Sequence, residues 1–303
     1  MLFYLAPMEG ITGYIVRNAY AHYFPYIDKY FTPFIPAAKK MSKKIKRDLA
    51  AENNEQIRLV PQLIGNRADE FLMMIRQLED LGFTSVNLNF GCPSGTVVSK
   101  RKGAGFLADP KELEMLLEEV LENSPLAVSV KTRVGIKDPD EWEALCGVYA
   151  KFPLEELIIH PRLQKDYYSG TPRMETFARA LEQIHVPLCY NGDICSVEDY
   201  KKVTAAFPAI DRIMIGRGLL ENPGLVGIKG NPPADKARLR AFHDEILEGC
   251  LDTFRAEKDV VFHLKEIWFY LTKSFPDREK YLKLIRKCQS LPEYKLIVQQ
   301  IFS

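Results

Sequence analysis

The stretch Ser85 to Pro93 reads SVNLNFGCP. Its first six residues form an apolar run of strand length, interrupted by asparagines at 87 and 89, and it stops at a glycine, a cysteine and a proline. Strand side chains alternate between faces, so if Val86 and Leu88 pack outward, Asn87 and Asn89 point the other way. Packing alone gives no reason to gather two amides and a thiol at one strand end, and the gathering asks for a chemical explanation.

Seven other short runs share this strand character: LFYLAP from Leu2, DKYFTP from Asp28, RLVPQL from Arg58, LAVSVK from Leu126, ELIIH from Glu156, LCYNG from Leu188 and RIMIG from Arg212. Segments of helical periodicity lie between them, the clearest at Leu113, Leu116, Leu117, Val120 and Leu121. Asp109 is placed to cap that helix, Pro110 fits its first turn and Glu112 completes a capping box. Ser196 and Asp199 offer a similar start after the seventh strand. Eight strands alternating with helices at a spacing of roughly thirty residues predict an α/β fold, a closed (β/α)8 TIM barrel. An open doubly wound sheet competes, but a first-turn GxGxxG is missing.

The barrel is expected to span residues 1–230. The Pro pair in GNPPAD, Gly230 to Asp235, reads as a linker, and 236–303 carries helical patterns only, a small C-terminal all-helical domain. The chain has 303 residues and a formal charge of +1, which argues against a strongly basic protein without excluding local patches. Six cysteines show no metal-ligand spacing and no disulfide framework, so no metal is expected and the thiols read as reduced, in a cytoplasmic protein. MLFYLAPMEG has no secretion-signal character, and no apolar run approaches the ~20 residues that span a bilayer.

Barrel active sites sit at the carboxyl ends of the strands. Phasing puts Gln62, Asn89, Lys131 and His160 inward at one height, with Cys92 in the loop above. A lysine there suffers desolvation unless an anion lies opposite, so four polar strand ends imply a polar, electron-rich ligand in the mouth. Each residue also has a plainer reading: Gln62 and Asn89 bonding rim backbone, Lys131 paired with Glu9, His160 a satisfied rim histidine, Cys92 an inert small hydrophobe. After strands seven and eight, Asn191-Gly192-Asp193 and Gly216-Arg217-Gly218 suit a phosphate site with Arg217 as charged donor, or are simply tight turns.

LAPMEGIT at 5–12, NFGCPS at 89–94, GAGFL at 103–107, VKTRVG at 130–135, the segment from His160 to Gly170, NGDI at 191–194 and MIGRG at 214–218 together make the chain similar to the tRNA-dihydrouridine synthase family, of the bacterial, FMN-dependent type. The resemblance covers nearly the whole chain. It implies an enzyme that reduces particular uridines of tRNA to 5,6-dihydrouridine with FMN and NADPH. It further implies Pro7, Met8 and Glu9 against the isoalloxazine, Gln62, Lys131 and His160 on its polar edge, and Asn191, Gly192, Asp193, Gly216 and Arg217 around the phosphate. Asn89 would bond the uracil, and Cys92 would deliver a proton to C5.

Extrusion of a base into a pocket is required for chemistry on a folded RNA. Arg162 and Tyr168 are expected to read that base and Lys100 to meet the backbone, together with Arg101 and Lys102. Lys280, Lys283, Arg286 and Lys287, and the run from Lys39 to Arg47, are further candidate phosphate contacts or else solvated faces. Pro161, Leu163 and Ile136 depart from the family pattern. The competing readings are an FMN barrel reductase of a free pyrimidine or other small molecule, and a tRNA-binding protein without catalysis. A monomer is expected.

Overall fold

Parallel pairing organises the protein. In the computed structural model, which describes residues 1–225 and 234–303, ten strands form one all-parallel sheet. They are β1 (Leu2–Leu5), β2 (Lys29–Phe31), β3 (Ile35–Pro36), β4 (Leu59–Val60), β5 (Gln62–Ile64), β6 (Ser85–Phe90), β7 (Ala127–Arg133), β8 (Leu157–His160), β9 (Leu188–Tyr190) and β10 (Arg212–Ile215). The pairing runs β3-β5-β6-β7-β8-β9-β10-β1-β2-β4.

The two ends of that order are one seam. Pro61 separates β4 from β5 and has no N–H to give a ladder, so what the sequence marks as the third strand is two short segments. β2 pairs with β4 and β3 with β5 on either side of the break. Thr32 bridges it, its Oγ1 accepting from Gln62 N at 2.9 Å. Counting β2 with β3 and β4 with β5, eight strands close on themselves, as the sequence predicts.

Helices α1 (Tyr14–Tyr23), α2 (Lys43–Leu49), α3 (Ala68–Asp80), α4 (Gly95–Val98), α5 (Pro110–Asn123), α6 (Glu141–Tyr149), α7 (Met174–Gln183) and α8 (Val197–Ala206) connect the strands, and α9 (Arg217–Glu221) follows the last of them. Asp109 caps α5 through Lys111 N and Glu112 N, and Ser196 caps α8 through Asp199 N. Glu112 takes Arg101 as its partner, at 2.6 Å. Of the expected linker, 230–235, residues 230–233 lie outside the described residues, and Asp235 caps the helix that follows. Beyond it, α10 (Lys236–Thr253), α11 (Glu257–Leu271), α12 (Arg278–Lys287) and α13 (Leu291–Phe302) form the C-terminal helical segment.

That segment is seated on the barrel. Phe242 of α10 packs edge-on against Tyr20 and Phe24, with centroids 5.0 and 5.4 Å away. A Cβ at Gly249 would stand 2.7 Å from Ile15, so α1 and α10 cross in close contact. Inside the segment, Tyr294 accepts from Trp268 Nε1 at 2.7 Å and bonds His243, all three buried.

Inside the barrel, polar and apolar side chains are layered. At the amino-terminal end, buried Glu156 accepts from Lys29 at 2.7 Å, Tyr4 at 2.9 Å and Arg212 at 3.2 Å. Above it, Phe31, Val60, Ile158, Cys189 and Met214 form a small apolar cluster. Beside it, Ser129, Asn87 and Gln62 are fully buried, Ser129 standing opposite Asn87 and Asn87 opposite Gln62 on β7, β6 and β5. Removing one member of a buried charge cluster leaves the others uncompensated, typically at 3–5 kcal/mol. Glu156→Ala is therefore expected to lower stability by about that amount, read as a fall in the urea midpoint, because Lys29 and Arg212 lose the carboxylate between them.

Candidate active site

A cavity of about 320 Å³ opens at the carboxyl end of the barrel. Every strand of the closed barrel leads toward it, and its wall includes Cys92, Pro7, Met8, Glu9, Gln62, Asn89, Lys131, His160, Tyr168, Asn191, Gly192, Asp193, Gly216 and Arg217. Of the site residues expected from sequence, only Arg162 and Lys100 are outside that wall.

Lys131 is half-buried and makes no ion pair or hydrogen bond with any described residue. Glu9 shares the cavity but is not its partner. Burial, with Arg133 beside it, pushes the ammonium down to about 8. It is still mostly a cation at neutral pH, held in a place that favours an anion opposite.

Arg133, which the sequence reading did not single out, is the organiser of the Cys92 loop. It is buried and donates Nε to Gly91 O at 3.0 Å, Nη1 to Leu163 O at 2.8 Å and Nη2 to Tyr167 O at 2.6 Å. Burial lowers it to about 10, still charged. Asn89 fixes the same loop from below, its Oδ1 accepting from Gly91 N at 3.0 Å and Cys92 N at 2.9 Å. The carbonyl of Cys92 accepts from Ala104 N at 3.0 Å, and Pro93 O from Gln164 at 3.0 Å. The thiol itself is half-buried. Burial pushes it up, against the opposing pull of a backbone N–H at Ser94 and of Lys131 and Arg133. It is therefore a protonated thiol at neutral pH, the form that can donate.

Arg162 differs from expectation. Its guanidinium is fully buried beneath the loop and bound to both Asp193 oxygens, to the Ser169 and Gly170 carbonyls and to His160. With those donors committed it cannot read a base; it fixes Asp193 and His160. Asp193 also accepts from Arg217 at 2.6 Å, and although burial opposes it, the two arginines hold its carboxyl below the usual range. Its carboxylate therefore positions Arg217 and is not itself a phosphate ligand. Lys100 is exposed on the segment after α4, away from the cavity.

Tyr168, about half exposed, lies over the guanidinium groups of Arg217 at 4.8 Å and Arg133 at 5.5 Å. His160 is driven well below its ordinary pKa by burial and then by Arg133, Lys131, Arg162 and Arg217, so it is neutral. Glycines at 192 and 218 are demanded by the protein's own atoms: a Cβ would stand 2.4 Å from Tyr190 Oη and 2.0 Å from Ile194 O. Gly216 has ordinary clearance, 3.4 Å to Ala6 Cβ, and leaves that part of the wall open.

Glu266 and Tyr270 of α11 complete the wall, so the helical segment contributes to the cavity. No sequence motif marks them, because their place depends on how α11 docks beside α9. Lys273 bonds Glu221 and Ser274 Oγ donates to Glu221 O at 2.6 Å at that junction. An unpaired cation, neutral donors, apolar Pro7 and Met8, and a volume near 320 Å³ suit an anionic, planar, multi-acceptor cofactor such as FMN.

A family model described as dihydrouridine synthase (Dus) matches residues 4–299. A tRNA-dihydrouridine(16) synthase of Pseudomonas syringae pv. tomato is 28% identical over 301 residues, 93% of each chain. Another of that name from Pseudomonas putida is 32% identical over 230 residues, 73% of this chain and 71% of the relative. Among solved structures, morphinone reductase in complex with tetrahydroNAD has a TM-score of 0.54 at 11% identity, covering 77% of this chain and 88% of that one. At that identity the likeness is one of fold.

A lysine held below its unfolded pKa costs stability at neutral pH, and the cost is relieved as pH rises from about 8 toward the ordinary lysine value. Lys131→Met is expected to stabilise the ligand-free protein at pH 7 by about 1–3 kcal/mol in urea melts, an effect that fades between about pH 8 and the ordinary lysine value, and to weaken the binding of an anionic flavin added in fluorescence titration at least about tenfold.

Proposed function

The chain belongs to the dihydrouridine synthase family, and from that premise we propose that it reduces particular uridines of tRNA to 5,6-dihydrouridine, in the cytoplasm, with FMN in the barrel mouth and NADPH as reductant. The observation that carries this reading is the sharing of one cavity by an unpaired Lys131 and a protonated Cys92 held on a rigid loop.

Lys131, His160 and Gln62 would hold the polar edge of the cofactor, Pro7 and Met8 would face its ring, and Arg217, kept in place by Asp193, would bind the phosphate. Bound there and reduced, FMN supplies the hydride equivalent that goes to C6 of the base. Cys92 gives its proton to C5 as negative charge develops on C5 and O4, so the thiol acts as general acid and not as nucleophile. Asn89, through the one amide hydrogen its bond to Gln62 leaves over, bonds the uracil. Tyr168 stacks on the extruded base.

The RNA approaches across α2 and α11. Lys43, Lys44, Lys46 and Arg47 are exposed on α2, which Arg17 and Asp48 anchor to α1 at 3.2 Å. Lys44 acts electrostatically on Glu9 at the cavity rim and on His263 of α11. Exposed Phe262 and Phe269 sit two turns apart on α11, with Arg286 of α12 over the Phe269 ring at 5.6 Å. Lys280, Lys283 and Lys287 are exposed beside it. Bare aromatics flanked by cations suit stacked bases and phosphates, which a reductase of a free small molecule has no use for.

The test incubates purified protein with NADPH and unmodified tRNA and maps dihydrouridine, beginning at position 16, the position in the names of several relatives. Product is expected in tRNA. Reduction of free uracil with none in tRNA overturns the reading. Cys92→Ala is expected to keep FMN and lose about 10²- to 10⁴-fold in the rate of base reduction.

A further inference from the structure

A chain of side-chain hydrogen bonds runs from a strand backbone up to the Cys92 loop. Ser129 Oγ donates to Val86 O at 3.1 Å, Asn87 Nδ2 to Ser129 Oγ at 2.9 Å, and Gln62 Nε2 to Asn87 Oδ1 at 2.8 Å. Asn89 Nδ2 then donates to Gln62 Oε1 at 2.7 Å, and Asn89 Oδ1 accepts from Gly91 N and Cys92 N. The direction of every bond is forced from its two ends. A backbone carbonyl only accepts and a backbone N–H only donates. With Asn89 Oδ1 claimed by two N–H groups, its nitrogen must face Gln62. Gln62 must then turn its oxygen to Asn89 and its nitrogen to Asn87, and Asn87 must donate to Ser129. Ser129 is left one hydrogen, which goes to Val86 O. The two ends agree, so none of the three amides can flip without stranding a buried group.

The consequence falls on the cavity wall. Gln62 and Asn89 line it, and each has an unused N–H on its amide nitrogen. Arg162 can only donate, so His160 Nε2 accepts from it at 3.2 Å and the histidine proton is on Nδ1, which has no partner among the described residues. Lys131 adds an ammonium. All four polar groups on this side of the cavity are donors.

We propose that Ser129 and Asn87, which do not line the cavity, are positioning residues that set the amide of Gln62 with its N–H toward the cofactor, so that this wall accepts only a ligand edge built of acceptors. This rests on the reading that FMN occupies the site, whose O2 and N1 form such an edge and carry more negative charge once reduced.

The test compares the full-length native chain with Ser129→Ala and with Ile158→Val, a buried lumen substitution outside the relay, by FMN titration and by the midpoint potential of the bound FMN. Ser129→Ala is expected to weaken FMN binding about 5- to 20-fold and to lower the midpoint potential. Ile158→Val is expected to leave affinity within about 2-fold and the potential unchanged, although both variants lose stability in thermal melts. Native affinity and potential in Ser129→Ala, or equal changes in the two variants, overturn the proposal. If the native chain binds no FMN, the flavin reading fails instead. The relay is then judged in the ligand-free protein by side-chain amide hydrogen exchange, where Ser129→Ala is expected to speed exchange at Asn87 and Gln62 and unchanged exchange refutes it.

Discussion

A closed barrel of eight strands has a narrow lumen with little room for water, and strand alternation sends every second side chain into it. Any polar group placed there must find its partner among the other inward residues. Most of what is particular to this protein follows from that constraint. At the amino-terminal end Glu156 is met by Lys29, Arg212 and Tyr4, and Arg212 reaches on to Asp211. In the middle the amides of Gln62, Asn87 and Asn89 satisfy one another in sequence. Only at the open end does the rule fail, where Lys131 has no counter-ion among the described residues. The vacancy of charge is local and specific, and it is where a ligand gains most.

The loops above the strands extend the same logic. Three buried arginines take different anchors: Arg133 three backbone carbonyls, Arg162 an aspartate together with carbonyls, and Arg17 an aspartate on α2. Because each guanidinium is planar and presents its donors in a fixed fork, each holds two or three chain segments in one geometry. The Cys92 loop and the Tyr168 loop are thereby held without long regular elements of their own, and the short helix α2 is held to α1. Stiffness matters for any group that must meet a ligand in a fixed geometry, since a misplacement near 1 Å at a reacting atom can cost about 10²-fold in rate.

Much of this was legible in the amino-acid order. Short aliphatic runs and their spacing identify the strands, Asp109 and Ser196 announce their helices, and alternation alone puts Gln62, Asn89, Lys131 and His160 on one wall. Those signals are local. What escaped were relations between distant residues. Nothing around Arg162 distinguishes a buried clamp from a loop residue facing solvent; the difference lies in Asp193, thirty-one positions away. Lys29, Glu156 and Arg212 look like ordinary surface charges until closure of the barrel brings them together. Glu266 and Tyr270 join the cavity only because α11 is docked beside α9. The third strand reads as one run through Pro61, and both the cut there and its repair by Thr32 escaped, since that bond requires the neighbouring strand to be in register.

The bare crossing of α1 and α10 at Gly249 has a further bearing. Two helices that touch backbone to side chain, with Ile15 filling the place of a missing methyl, have one relative angle available to them. The angle is carried along α10 into α11, and so to Tyr270 at the mouth. Changing how the helical tail is tilted over the barrel, and with it where Glu266 and Tyr270 stand at the cavity, would thus be an evolutionary problem of rewriting one joint. Ile15 and Gly249 would have to be inherited as a pair, and a tail borrowed from a cousin with a bulkier hinge would sit askew even if each half were intact.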